Sequence, residues 1–136
     1  MTHVLVVEPA PLVRAMIAEA LQDAGLRVTE AALAEAALGA VEAASRPPEV
    51  LVTAVALDAG GMDGPALAAA LRHRWPGLGV VYLAGHPGDL AEDALGERAH
   101  RLTKPFEPAR LARLVCGLAP PCPNPPRMIR GRAVMR

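Results

Sequence analysis

Short runs of β-branched residues alternate along this chain with Ala-rich stretches that place apolar residues at helical spacing. The first run, Val4–Val7, is apolar without a polar residue between its members, as expected for a strand buried on both faces. Strands that alternate with helices in this way are typical of a parallel sheet covered on both sides. We therefore predict an α/β fold, a doubly wound sheet of five parallel strands with five helices.

The expected boundaries follow from the same pattern and from the glycines and prolines between the elements. The predicted strands are Val4–Val7, Arg27–Glu30, Val50–Leu57, Val80–Leu83 and His100–Thr103. The predicted helices are Pro11–Ala24, Leu33–Ala44, Pro65–Trp75, Leu90–Leu95 and Glu107–Leu118. Gly25 should end the first helix in a left-handed conformation. Gly60, Gly61 and Gly64 are expected to form a flexible loop. In such a sheet the ligand crevice lies at the carboxyl ends of the strands.

Charge and cysteine content narrow the possible environments. Fourteen basic and fourteen acidic residues balance, so no net field draws the chain toward nucleic acid or a membrane surface. No apolar run approaches the length of a membrane span, and the first residues lack the layout of a signal peptide. Two cysteines are too few for a disulfide framework. We expect a reduced, cytoplasmic protein.

The character of the chain changes after Leu118, so we divide it into a domain over residues 1–118 and a tail over residues 119–136. Five prolines preclude a helix in the first half of the tail: Pro120, Pro121, Pro123, Pro125 and Pro126. The end, RMIRGRAVMR, is basic. It has no aromatic residue and little length, so a tail that is solvated or packed on the domain is favoured over one that binds nucleic acid.

The order of elements, with VLVVE at the start and TKPF before the last helix, resembles the response-regulator receiver family over about residues 3–118. Supporting phrases are PLVRAMIAEALQDAG, GMDGPALAAALRHRWPG and AGHPGDLAEDAL. The resemblance implies a flavodoxin-like sheet of strand order 2-1-3-4-5 and a role in bacterial two-component or phosphorelay signalling. It also implies a phosphorylation pocket. In that family an aspartate ending strand three accepts a phosphoryl group from a histidine kinase, beside a magnesium ion.

The acceptor position of this family falls on an alanine in this chain. Counting from Pro48, before strand three, the acceptor would be residue 54, which is Ala54. Asp58 is four residues beyond, about 13 Å in an extended strand, and so cannot simply replace it. Because buried strands tolerate slippage poorly and loops vary in length, we follow the register of the strand.

Other positions of the pocket depart as well. The second acidic residue after strand one is Pro9, and the hydroxyl residue after strand four is Ala84. The switch position, often aromatic in the family, is Arg101. The first acidic residue and the lysine of the Lys-Pro bond, which is commonly cis in the family, are retained. The degenerate pocket thus comprises Glu8, Pro9, Ala54, Ala84 and Lys104.

With the acidic cluster reduced to Glu8, we expect this carboxylate to form an ion pair with Lys104. The alternative is that Lys104 binds an anion or a carboxylate of a partner. We predict no metal site, no cofactor and no catalytic residue, so this chain is not expected to be an enzyme.

A second surface could join two copies of the chain. Opposite charges on the fourth and fifth predicted helices could pair across a two-fold axis, with Arg101 contributing: Glu92, Asp93, Glu97, Arg110 and Arg113. The alternative is a solvated surface with weak pairs.

Two hypotheses of function remain open. The first is a stand-alone pseudo-receiver that is not phosphorylated and binds a histidine kinase, another regulator or itself. The second is a conventional receiver that accepts a phosphoryl group on an aspartate such as Asp58. A single engineered loss of the acceptor is disfavoured, because Pro9 and Ala84 depart too.

Overall fold

Strands and helices alternate from one end of the domain to the other in the computed structural model, which describes residues 2–44, 46–57, 61–91 and 95–119. The strands are β1 His3–Val7, β2 Arg27–Ala31, β3 Val50–Ala54, β4 Gly79–Ala84 and β5 Ala99–Thr103. The α-helices are α1 Pro11–Asp23, α2 Ala34–Ala43, α3 Gly64–Arg74 and α4 Pro108–Leu118. A short 3-10 helix spans Pro87–Asp89. Apart from Ala119, the predicted tail lies outside the described residues.

The five strands form one parallel sheet in the order β2-β1-β3-β4-β5. The predicted architecture, strand order and flavodoxin-like topology are confirmed. Strand order reverses at β1, which lies between β2 and β3, and this reversal creates the crevice of a doubly wound sheet. Gly25 has φ 87° directly after Ala24, the C-cap residue of α1, as predicted from its lack of a Cβ atom.

Helices bury both faces of the sheet. On one face α2 and α3 pack over Leu5, Leu51 and Val80. On the other face α1 and α4 pack over Val4, Val52 and Val81. The central strands are therefore buried on both sides, which explains their continuous apolar sequence. None of the described helices is both long and apolar enough to cross a lipid bilayer.

The predicted fourth helix, Leu90–Leu95, is the one element that differs in kind. Residues 92–94 lie outside the described residues, and Leu90 and Leu95 are not helical. The connection begins instead with the 3-10 turn, in which Asp89 Oδ2 accepts a hydrogen bond from the His86 backbone N–H at 2.9 Å. The described residues thus contain four α-helices, where five were predicted.

Strand β3 also ends three residues earlier than predicted. After Ala54 the chain turns, and the Val55 carbonyl accepts a hydrogen bond from Gly64 N–H at 2.8 Å. Gly64 is the first residue of α3, so its assignment to a flexible loop was wrong. The Asp63 side chain caps this helix by accepting from Ala66 N–H at 2.9 Å. The early turn places Ala54 at the carboxyl edge of the sheet.

Candidate functional site

The carboxyl ends of four strands bring the residues of the predicted pocket to one edge of the sheet. Glu8 directly follows β1, while β3 ends at Ala54 and β4 at Ala84. Lys104 follows β5, and its backbone N–H donates to the Ala84 carbonyl at 2.8 Å. The edge therefore collects Glu8, Ala54, Ala84 and Lys104 from four separate segments.

Glu8 and Lys104 form the predicted ion pair. Lys104 Nζ donates to Glu8 Oε1 at 2.9 Å. The Glu8 side chain is only 3% exposed and that of Lys104 is 34% exposed. A buried carboxylate is costly unless it is paired and hydrogen-bonded. The ammonium group of Lys104 therefore serves to neutralise Glu8. The bond between Lys104 and Pro105 is cis.

The remaining acceptor atoms of Glu8 are also engaged. Its Oε2 accepts a hydrogen bond from Ala10 N–H at 3.0 Å, across Pro9. Its backbone carbonyl accepts from Arg14 Nη1 at 2.8 Å, and Arg14 Nε lies 3.5 Å from Glu30 Oε1. Sequence reasoning missed Arg14, although its place in the first turns of α1 was visible. These contacts hold the turn after β1 in one conformation.

Ala54 places a methyl group at the position that the strand register predicts for the acceptor. The residue is buried, with 4% of its surface exposed, and packs in the same cluster as Leu57 and Leu67. The neighbouring hydroxyl, Thr53 Oγ1, donates to the Ala54 backbone carbonyl at 2.9 Å and is itself buried. Among the described residues, no carboxylate side chain therefore lies at the end of β3. Asp58, the alternative acceptor, lies outside the described residues.

The positions after β4 and on β5 are likewise altered. Ala84 is fully buried and carries no hydroxyl group. Arg101 Nη1 donates to the backbone carbonyl of Leu90, which ties β5 to the loop after β4. Its placement at the switch position was predicted, but this contact was not, because Leu90 was assigned to a helix. The loop that follows β4 is thus fastened by a side chain from β5.

The predicted dimer face is only partly described. Glu92 and Asp93 lie outside the described residues. Glu97 is exposed, as are Arg110 and Arg113 on α4, and none of the three forms an ion pair with another described residue. Dimerisation through this face stays a prediction.

The described residues at this edge do not fit a magnesium ion. Magnesium requires several hard oxygen ligands in octahedral geometry. Glu8 is the sole carboxylate that the predicted pocket supplies, and Lys104 and Ala10 already occupy both its oxygens. Within the described residues, no group of three His, Cys, Asp or Glu side chains could hold a metal ion.

We therefore expect thermal unfolding to be indifferent to magnesium. Melting curves in magnesium and in EDTA should superimpose, since only a ligand that binds the folded state raises its stability. A melting temperature clearly higher in magnesium would show that the pocket does hold a cation. Circular dichroism over a temperature ramp provides the measurement.

Comparison with known proteins agrees with the observed fold. The family described as response regulator receiver domain matches residues 4–115. No curated protein matches the chain. The fold is similar to that of a receiver protein from Sinorhizobium medicae WSM419, with TM-score 0.77 and 23% identity over 86% of this chain and 93% of that one. A receiver domain protein from Clostridium thermocellum gives TM-score 0.76 and 22% identity, over 87% and 94% of the two chains. The receiver domain of NtrX from Brucella abortus gives TM-score 0.75 and 29% identity, over 85% and 96%.

Proposed function

Since this chain belongs to the response regulator receiver domain family, we propose that it works in two-component signalling as a pseudo-receiver, by binding other proteins and without accepting a phosphoryl group. The observation that carries this proposal is Ala54. It ends β3 at the carboxyl edge of the sheet, and its side chain has no oxygen to which a phosphoryl group could be transferred.

The rest of the pocket supports the same conclusion. Phosphoryl transfer depends on positioning and on neutralisation of charge on the transferred group. In this chain the ammonium group of Lys104 is paired with the Glu8 carboxylate, and the Ala84 side chain has no hydroxyl group. The described pocket therefore lacks an acceptor carboxylate, a second acidic ligand for a metal ion and a lysine free of an ion pair.

An apolar surface beside this edge supports binding to a protein partner. Leu12 and Met16 on α1 are 87% and 40% exposed, respectively. A groove of about 470 Å³ lies between α1 and the segment after β5, lined by Val13, Met16 and Phe106 among others. Adjacent exposed apolar side chains often mark protein-interaction sites. A histidine kinase or another regulator is the class of partner that the family favours.

The test is the intact mass of the chain after incubation with acetyl phosphate and magnesium. We expect the wild-type chain to gain no phosphoryl group, because no carboxylate ends β3. The Ala54→Asp variant, measured in parallel, tests the register: an adduct on this variant alone would assign the acceptor position to residue 54.

A phosphoryl adduct on the wild-type chain would overturn the proposal. Peptide mapping would then locate it, and the Asp58→Asn variant would show whether Asp58 is the acceptor. Loss of the adduct in that variant would establish a conventional phosphorelay function.

A further inference from the structure

A second groove lies at the opposite edge of the sheet, by the amino ends of β3 and β4. Its volume is about 350 Å³. The walls include Pro47 and Pro48 before β3, and Trp75, Pro76 and Leu78 before β4. Most of this lining is apolar, and Trp75 is only partly buried. Nothing in the receiver chemistry described above uses this groove.

The groove combines one aromatic ring with proline rings. The Arg74 guanidinium lies 4.5 Å from the centroid of the Trp75 ring, a cation–π contact that holds the indole in place. Grooves lined by aromatic side chains bind proline-rich segments, because a polyproline II helix is already extended and loses little entropy on binding. The chemistry of the walls therefore favours a proline-rich ligand.

The chain leaves the last helix at the rim of this groove. Arg98, which lines the groove, donates from Nε to the Gly77 carbonyl at 3.0 Å. Its Nη2 donates to the carbonyl of Leu118, the last residue of α4. A single guanidinium group thus joins the groove wall to the end of the helix. The end of α4 therefore lies one arginine side chain away from the groove, and the chain continues from there.

We propose that the proline-rich segment 120–126 of this same chain binds in the Trp75 groove. This segment contains Pro120, Pro121, Pro123, Pro125 and Pro126. Extended at about 3.1 Å per residue it reaches roughly 20 Å, which is enough to cross the groove from Leu118. A tether this short gives an effective concentration on the order of millimolar, so the segment competes well with any free proline-rich peptide.

Trp75 is the single tryptophan of the chain, so its fluorescence reports on this groove alone. We expect acrylamide to quench Trp75 weakly in the full chain. A full-length variant with the five tail prolines replaced by serine should show a quenching constant roughly twofold higher, because a bound ligand covers most of the surface that it contacts. Equal quenching of the two chains would overturn the proposal. A Glu19→Ser variant, changed at an exposed position of α1 that does not line the groove, is the control and should be quenched like the wild type.

Disulfide trapping provides an independent test with the native Cys122 of the segment. In a Cys116→Ser background, Pro76→Cys places a thiol in the groove. Asp23→Cys is the matched control, because α1 also ends at the amino edge of the sheet, and Asp23 is exposed there. We expect an intramolecular disulfide with Cys122 to form about tenfold faster from residue 76 than from residue 23, reflecting the higher local concentration.

Two results would contradict docking of the chain's own tail. Equal rates from residues 76 and 23 would mean that the segment samples this end of the domain without preference. Disulfide-linked dimers in place of an intramolecular bond would assign the groove to the tail of a second copy.

Discussion

The Lys104→Met variant should lose about 3 kcal/mol of unfolding free energy, because it leaves the Glu8 carboxylate buried without its counter-charge. This is the lower end of the range for a broken buried pair, which we choose because 34% of the Lys104 side chain remains exposed. Urea unfolding at neutral pH, followed by circular dichroism, measures the change. The matched control is Glu30→Gln, which breaks the exposed pair with Arg14 and should cost less than about 1 kcal/mol.

A double-mutant cycle separates the pair from general damage to the pocket. Adding Glu8→Gln to Lys104→Met removes the uncompensated charge and should recover part of the lost stability, giving a coupling energy of about 1 kcal/mol or more. Additive effects of the two changes would show that the pair is not coupled. Lys104 would then be free to bind an anion.

The Gly64→Ala variant should lose about 3 kcal/mol of unfolding free energy, because a Cβ atom at this position would clash with the Ala54 carbonyl oxygen. The contact is with backbone, and the Val55 Cα atom lies 3.1 Å away, so no flexible side chain can make room. To fit, the start of α3 must move away from the end of β3 and weaken the bond from Gly64 N–H to the Val55 carbonyl.

Gly39→Ala is the control for this substitution. Gly39 lies within α2 and has no atom within 4 Å of the position of an added Cβ. Alanine there should stabilise the protein by about 0.5–1 kcal/mol, since glycine disfavours a helix. Thermal melts of the two variants should thus shift in opposite directions. An unchanged melt of Gly64→Ala would contradict the tight packing of α3 against Ala54.

The two predictions describe one property of the site. Carboxylates gathered in one pocket repel one another, and their pKa values rise unless a cation is present. Among the described residues of this pocket, Glu8 is the single carboxylate and Lys104 neutralises it, while the end of β3 carries a methyl group and packs closely against Gly64. The contacts at the carboxyl edge of the sheet therefore stabilise the folded domain.

The fold was predictable because its signals are local. Continuous apolar strands separated by helices of 3.6-residue period indicate a parallel sheet, and this pattern can be recognised without knowing the tertiary contacts. The resemblance supplied the strand order. The ends of the predicted helix Leu90–Leu95 were misassigned, since neither Leu90 nor Leu95 is helical, because a short apolar pattern fits one turn of helix equally well. The end of β3 was misplaced because Val55 and Leu57 continue the apolar run.

The sequence by itself determined the chemistry that is absent: no carboxylate at residue 54, no hydroxyl at residue 84 and proline at residue 9. The tertiary structure decided what replaces it. Glu8 and Lys104 lie 96 positions apart, and only the order of strands brings them within 2.9 Å. The closeness of Gly64 to Ala54, and of Leu118 to the Trp75 groove through Arg98, likewise depends on elements that are distant along the chain. The spacing of residues along a sequence indicates local conformation, whereas contacts between distant residues form only when separate elements pack on one sheet.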